Sequence, residues 1–95
     1  MASGDLGTDP VVQELRDRID AVDRELLAGL NRRLALVGEL KLHKEAHGYA
    51  FTDAGREERL LAALKAANGG PLSDAGVEEI FRVIVARTKR DVYGA

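Results

Sequence analysis

Two cations stand where the helical pattern of this chain calls for apolar side chains. In the stretch NRRLALVGELKLHK (31–44) and just before it, five residues recur at intervals of three and four, the spacing of one helix face: Leu30, Arg33, Val37, Leu40 and Lys44. The eleven residues from Arg33 to Lys44 turn a helix by about 1,100°, which leaves the two cations within about 20° of each other. Because an unpaired buried charge is strongly unfavourable, this face predicts a bound anion.

Polar groups interrupt the apolar faces of two later segments as well. Asp53 and Glu57 share a helical face with the leucines at 60, 61 and 64, and Thr88 lies between Val85 and Val92. Together with Arg33 and Lys44 they describe a pocket of cations and one or two carboxylates. Such a pocket suits a small dianion that also carries a hydroxyl group.

Each of these residues also has a simpler structural interpretation. Arg33 and Lys44 can pack their stems and keep their charged ends in water. Asp53 can be a plain helix N-cap, and Glu57 an acid that suits the dipole of a first turn. The Thr88 hydroxyl can bond to the preceding turn of its own helix. The ligand interpretation rests on their combination.

The position of Arg16 suggests that the site includes residues of a second chain. It precedes Arg33 by seventeen residues, which places it about 100° around the helix and some 25 Å along its axis (about 1.5 Å per residue). The two guanidinium groups therefore do not converge on one pocket within one chain. An antiparallel dimer would bring Arg16 of one chain to the Arg33 and Lys44 of the other.

A very long first helix must position most of these residues. Asp9 offers an N-cap, Pro10 a first helical position and Gly48 a stop, and no proline intervenes from residue 11 to about 47. A helix of about 37 residues is near 55 Å long, whereas a compact domain of this size has a radius of gyration of about 12–13 Å. We therefore expect dimerisation along this helix.

Two shorter helices follow, and we find no strand alternation. Thr52 or Asp53 is expected to cap the second helix, and the breaker residues 68–71 to end it. Ser73 is expected to cap the third, with an apolar stripe that runs to Val92. The predicted fold is all-α, with one very long, one short and one medium helix.

Composition narrows the function classes. The 95 residues carry a net charge of −2 and no cysteine, so we expect one domain (residues 10–95) after a disordered arm (residues 1–9), in the cytosol and with no disulfide. Four aromatic residues and the charge balance argue against nucleic acid, and no segment suits a signal peptide or a bilayer span. No cofactor is expected.

Two remaining clusters receive structural interpretations. His43 and His47 have the i, i+4 spacing of helical metal sites, but no third ligand accompanies them, so we expect no metal. The cations at 87, 89 and 90 are interpreted as a solvated face near a helix C-terminus, where they suit the dipole.

The assembled motifs resemble the all-helical, AroQ-class chorismate mutases. The matching segments are LRDRIDAVDRELLAGLNRR (15–33), Lys44 and TDAGREERLL (52–61), with IFRVIVART (80–88) matching more loosely. The resemblance covers roughly residues 12–92. It implies an intertwined homodimer whose two active sites are each completed by Arg16 of the other chain, and an isomerase that converts chorismate to prephenate in the shikimate pathway, toward aromatic amino acids.

The resemblance also implies a role for each site residue. Arg33 and the partner chain's Arg16 would hold the two carboxylates of chorismate, and Lys44 would donate to the ether oxygen, where negative charge develops. Glu57 and the backbone near Asp53 would bind the ring hydroxyl. The remaining contacts would come from Arg56, which adds positive potential, and from Thr88, where the family usually has serine near a carboxylate.

One position departs from the family pattern. Where relatives place Gln or Glu one turn after the hydroxyl residue, as a second donor to the ether oxygen, this chain has Val92. One preorganised donor of this kind is worth about 10²–10³ in rate. Three explanations stay open: an irregular helix end, a slow enzyme or a different substrate.

Other functions of the same scaffold stay open at this point. One is 4-amino-4-deoxychorismate mutase, since carboxylates near the ring substituent would tolerate an ammonium. Isochorismate–pyruvate lyase is disfavoured by the Asp-Ala-Gly-Arg-Glu motif at 53–57. The other class is a weakly active helical dimer that binds a partner, such as an upstream shikimate-pathway enzyme.

Overall fold

The computed structural model describes residues 6–94, which form three α-helices and no strand. This part of the chain confirms the all-α prediction, with lengths of 38, 12 and 15 residues. Residues 6–8 form a turn, and residues 1–5 of the predicted arm lie outside the described residues. None of the described helices is long and apolar enough to span a bilayer.

The first helix, α1, runs from Pro10 to His47 and begins and ends as predicted. Asp9 caps it, because one carboxylate oxygen accepts the backbone N–H groups of Val11 at 2.9 Å and Val12 at 3.4 Å. Gly48 follows with φ of +67°, the left-handed conformation that ends many helices. Both ends of α1 thus carry the local capping features that the sequence predicts.

The contacts of the chain divide it into two compact units, Met1–Arg33 and Leu34–Ala95. The first unit contains the N-terminal part of α1 preceded by a turn. No residue of α1 is buried. Within the first unit, seven large apolar residues of α1 are exposed: Val11, Leu15, Ile19, Val22, Leu26, Leu27 and Leu30. The sequence pattern calls for a buried face at Arg33 and Lys44, but in the single chain both residues are only half-buried.

The second unit holds the small buried core. Helix α2 spans Arg56–Ala67 and helix α3 spans Asp74–Thr88, and they pack against each other. Leu61 of α2 is 1% exposed and Val77 of α3 is 5% exposed. Ser73 caps α3 as predicted, its hydroxyl accepting the Gly76 N–H at 3.0 Å.

The third helix does not continue to Val92 as an α-helix. After Thr88 the chain forms one turn of π-helix, Lys89–Tyr93, which we call the C-terminal π-turn. Its backbone bonds span five residues instead of four, so one turn takes about 4.4 residues instead of 3.6. Gly94, with φ of +70°, ends the turn and donates its N–H to Arg90 O at 3.1 Å. Of the three explanations for Val92, the irregular helix end is present.

An ion pair fastens α2 to α3. Lys65 Nζ lies 2.7 Å from a carboxylate oxygen of Glu78, and both side chains are about a third exposed. The hydrogen bond and charge of Lys65, and then the charge of Arg82, lower the pKa of Glu78 below its ordinary value of 4.5. A carboxyl group whose pKa falls on folding stabilises the fold above its unfolded pKa, and this contribution is lost as the pH drops through the folded pKa.

We predict that Glu78→Gln lowers the melting temperature at pH 7 by a small amount, because this pair is partly exposed. The deficit should shrink as the pH falls below the ordinary value of 4.5, where the wild-type carboxylate also becomes protonated. Thermal unfolding followed by circular dichroism at pH 7, 5 and 3 measures it. The matched control is Glu79→Gln, at an exposed neighbouring glutamate. A deficit that stayed constant with pH would contradict the ion-pair assignment.

Candidate functional site

Lys44 lies one turn before the end of α1, and its ammonium is held by the loop that follows. Its Nζ donates a hydrogen bond to the carbonyl oxygen of Phe51 at 3.2 Å. An ammonium has three N–H donors, so this bond orients the group and leaves two donors for a ligand. Lys44 is half-buried, so its ammonium stays accessible to a ligand while its side chain has less conformational freedom.

Glu57, in the first turn of α2, faces one cation of α3 and one of the C-terminal π-turn. Its two carboxylate oxygens lie 3.3 Å from Arg82 Nη1 and 3.4 Å from Lys89 Nζ. The Glu57 side chain is 32% exposed. The carboxylate is therefore partly neutralised and fixed in direction, which suits an acceptor for a ligand hydroxyl better than a site for an added positive charge.

Arg82 is the hub of this ionic network. Besides Glu57 it pairs with Glu58 at 3.3 Å and with Glu78, one turn before it in α3, at 3.7 Å. Partial desolvation lowers the pKa of Arg82, but the surrounding glutamates, Glu78 first, outweigh that effect and raise the pKa above its usual range. Arg82 thus remains a cation that ties the first turn of α2 to the middle of α3.

The prediction that Thr52 or Asp53 caps α2 is wrong. The N-cap position is Gly55, with φ of +83°, and no side chain caps the helix. The Asp53 carboxylate pairs instead with Arg59 Nη2 at 3.0 Å, and its backbone carbonyl accepts the Arg56 N–H at 3.1 Å. The left-handed turn at Gly55 is the physical reason, because it begins the helix two residues later than the sequence pattern indicates.

Thr88 and Val92 lie at the end of α3 and in the C-terminal π-turn. Thr88 is 6% exposed, and its hydroxyl donates to Ile84 O at 2.8 Å, as the simpler interpretation predicts. The backbone carbonyl of Val92 accepts a hydrogen bond from Lys41 Nζ at 3.1 Å. Val92 therefore contacts α1 through its backbone and contributes no side-chain donor.

The three arginines predicted for the site differ in their exposure and in the unit to which they belong. Arg16 and Arg33 belong to the first unit, where Arg16 is exposed and Arg33 half-buried. Arg56 is the first residue of α2 and is exposed. The bond of the Arg56 backbone N–H to Asp53 O orders the start of α2.

Within the second unit, the C-terminal π-turn joins the predicted site residues. It begins at Lys89, which pairs with Glu57, and it ends at Tyr93, whose ring lies 5.4 Å from the ring of Phe51. Phe51 in turn accepts the bond from Lys44. A half-buried ammonium and a fixed carboxylate on one unit can bind a small anion that carries a hydroxyl, without a nucleophile.

Sequence reasoning missed four residues of this arrangement: Lys41, Phe51, Arg82 and Tyr93. It also treated Lys89 as part of a solvated face, whereas Lys89 pairs with Glu57. Lys41 stands three residues before Lys44, on neighbouring positions of one helix side, and that spacing is a signal that could have found it. The contacts of Arg82 and Lys89 with α2 span 24 or more residues and leave no local pattern.

His43 and His47 form an aromatic cluster with Tyr49. The two imidazole centroids are 4.1 Å apart, and the Tyr49 ring stacks on His47 at 5.3 Å. His47 Nδ1 lies 2.9 Å from His43 O, within hydrogen-bond distance. Among residues 6–94, no three His, Cys, Asp or Glu side chains are grouped closely enough to hold a metal ion.

One family of known proteins matches most of the chain. The profile of the family described as "Chorismate mutase type II" matches residues 15–91. No curated protein matches significantly.

The solved structures that share the fold include two of chorismate mutase from Thermus thermophilus. The Form I structure is 36% identical, covers 81% of this chain and 96% of its own, and superposes with a TM-score of 0.77. The Form II structure has the same identity and the same coverage of this chain, covers 88% of its own, and has a TM-score of 0.75.

We predict that Gly55→Ala destabilises the protein by about 1 kcal/mol, because a Cβ is unfavourable in the left-handed conformation. The new methyl group would also lie 3.1 Å from Arg59 Nη1 and disturb the pair with Asp53. Urea denaturation measures the loss. Gly69→Ala is the control, since Gly69 has no positive φ and nothing within 4 Å of an added Cβ. Equal effects of the two substitutions would show that the Gly55 conformation is not required.

Proposed function

The chain belongs to the chorismate mutase type II family, and from this premise we propose that it converts chorismate to prephenate. This Claisen rearrangement breaks one C–O bond and forms one C–C bond within a single molecule. It requires no covalent intermediate with the protein and no proton transfer. Conformational restriction and electrostatic stabilisation are sufficient to accelerate it.

The observation that carries this proposal is the arrangement around Lys44. Its ammonium is fixed by Phe51 O at 3.2 Å and retains two free donors. We assign one of them to the ether oxygen of chorismate, where negative charge grows as the C–O bond breaks. The interaction strengthens in the transition state, so it lowers the barrier and not only the dissociation constant.

The other residues are assigned by the charges that each would meet. Arg33 and the partner chain's Arg16 hold the two carboxylates in the folded geometry that the reaction requires. Arg56 adds positive potential. Glu57 accepts a hydrogen bond from the ring hydroxyl, with the backbone near Asp53. Thr88 can donate to a carboxylate only if its hydroxyl turns away from Ile84 O, to which it donates in the single chain.

The contacts of Glu57 bear on the choice of substrate. Arg82 and Lys89 lie 3.3 and 3.4 Å from its carboxylate. Two cations so close to the position of the ring substituent would repel an ammonium, whereas a hydroxyl donates to Glu57 without added charge. This observation favours chorismate over 4-amino-4-deoxychorismate.

The second part of the proposal is an intertwined homodimer. The apolar stripe of the first unit is exposed in the single chain, with Leu15, Ile19, Val22 and Leu26 between 48% and 60% exposed. A helix with one apolar face gains most of its stability from packing that face. A second copy of α1 would cover the stripe, and Arg16, which follows Leu15, would then reach the site of its partner.

The first test is steady-state turnover of the purified protein on chorismate, with identification of the product. We expect prephenate, and we expect Lys44→Ala to lower kcat/KM by at least about 10²-fold, since it removes a donor to developing charge. Arg32→Ala, which removes an exposed cation of the same helix, is the control and should stay near wild type.

Two outcomes would contradict the proposed activity. Wild-type protein that leaves chorismate unchanged but converts the 4-amino analogue would shift the assignment to that substrate. Equal, feeble turnover by wild type and Lys44→Ala would exclude the assigned site in the isolated protein. Adding an upstream shikimate-pathway enzyme then tests the partner-dependent alternative, in which turnover should rise.

A separate test addresses the shared site. Arg16→Ala and Lys44→Ala homodimers should each be nearly inactive, because each defect affects both sites. When the two proteins are unfolded together and refolded at equal concentrations, half of the dimers should be mixed, each with one intact site, restoring about a quarter of wild-type activity. No recovery in mixed dimers verified by mass spectrometry would place Arg16 and Lys44 in the same chain's site or outside it.

A further inference from the structure

The C-terminal π-turn places an aromatic residue beside the loop that holds Lys44. Tyr93 is half-buried, and its ring lies 5.4 Å from the Phe51 ring with an interplanar angle of 52°. Tilted aromatic pairs at this distance are favourable beyond simple burial. The carbonyl oxygen of the same Phe51 accepts the Lys44 ammonium at 3.2 Å. Tyr93 therefore contacts Phe51, and Phe51 contacts the Lys44 ammonium, the group assigned to the ether oxygen.

Lys41 joins the π-turn to α1 from the other side. Its Nζ donates to Val92 O at 3.1 Å and lies 5.8 Å from the centroid of the Tyr93 ring. The first contact fixes the backbone of the turn and the second is a cation–π interaction with its last residue. Lys41 and Lys44 belong to successive turns of α1. Through them α1 contacts both the π-turn and the loop of residues 48–55, and the π-turn contacts the same loop through Tyr93 and Phe51.

The π-helical geometry sets the position of Tyr93 around the helix axis. In an α-helix, Val92 would stand one turn after Thr88, and Tyr93 would lie about 100° further around. With about 4.4 residues in a turn, the position one turn after Thr88 falls between Val92 and Tyr93. The wider turn thus brings Tyr93 closer to the helix face of Thr88 than an α-helix would, and in this register the Tyr93 ring packs on Phe51.

We propose that Tyr93 is a positioning residue, whose ring, packed on Phe51, holds the Phe51 carbonyl that orients the Lys44 ammonium. This inference rests on the proposed function, because it assigns to Tyr93 the support of the group that acts on the ether oxygen. The aromatic ring carries the effect and the hydroxyl does not. Misplacing a catalytic group by as little as about 1 Å can cost about 10²-fold in rate.

The kinetic test compares Tyr93→Ala, Tyr93→Phe and wild type on chorismate. We expect Tyr93→Ala to lower kcat by about 10-fold or more with KM changed by less than about threefold, since an oriented Lys44 acts in the transition state. Tyr93→Phe retains the ring and should stay within about twofold of wild type. Tyr49→Ala, at the other tyrosine of the chain, which stacks on His47 instead, is the matched control and should be unchanged.

A second readout follows Lys44 directly and does not depend on turnover. In protein labelled with ¹³C at the lysine ε carbon, the Lys44 signal is identified by its absence in Lys44→Ala. Tyr93→Ala should shift this signal while the signal of Lys65, which is paired with Glu78, stays in place. Tyr93→Phe should leave both unchanged. Phe51→Ala breaks the same contact from the other side and should reproduce the shift if Tyr93→Ala does not fold.

The outcomes separate the inference from the proposed function. Active wild type with an equally active Tyr93→Ala and an unshifted Lys44 signal would overturn the role of Tyr93 and leave the proposed activity intact. Inactive wild type would overturn the proposed activity, and the Lys44 signal would still decide whether Tyr93 positions that ammonium. Equal losses in Tyr93→Phe and Tyr93→Ala would overturn the positioning role, because the hydroxyl would then be the active group.

Discussion

The packing of α2 on α3 is the interaction on which the rest of the second unit depends. Leu61 and Val77 are two of the few buried residues of the described chain, and the ion pair between Lys65 and Glu78 fixes the two helices beside them. This small contact sets the direction in which α3 ends. The position of the C-terminal π-turn, and with it the contacts of Lys89 and Tyr93, follows from that direction.

The electrostatics of the site are built largely from charges that lie far apart in sequence. Glu57 meets Arg82 and Lys89, so its carboxylate is held by α3 and by the turn that follows it. Lys44 is held by a neutral backbone carbonyl instead of a carboxylate. A neutral acceptor orients the ammonium without cancelling its charge, so the ammonium remains effective toward an anionic substrate.

The apolar stripe of the first unit bears on how a chain of this size could support such a long helix. Its exposed leucine, isoleucine and valine side chains are too many for a stable isolated helix, because helical stability in proteins comes mainly from packing an amphipathic face. Coverage by a second copy would supply that packing. It would also give Arg16 a role in the site of the partner chain, although Arg16 belongs to the first unit and Lys44 to the second.

The sequence by itself determined the elements and most of their ends, since capping is local chemistry. Asp9 and Ser73 act as predicted because each side chain accepts a backbone N–H two or three residues further on. Gly48 acts as predicted because glycine adopts the left-handed conformation without strain. The family resemblance likewise rests on residue types and spacing. The start of α2 at Gly55 is also local, but it depends on a left-handed turn that the capping pattern did not indicate. Tertiary structure alone decided the partners of Glu57 and the π-turn that puts Tyr93 against Phe51. These contacts depend on how segments that are distant in sequence pack and pair their charges. Helical periodicity is a local pattern, so it does not predict them.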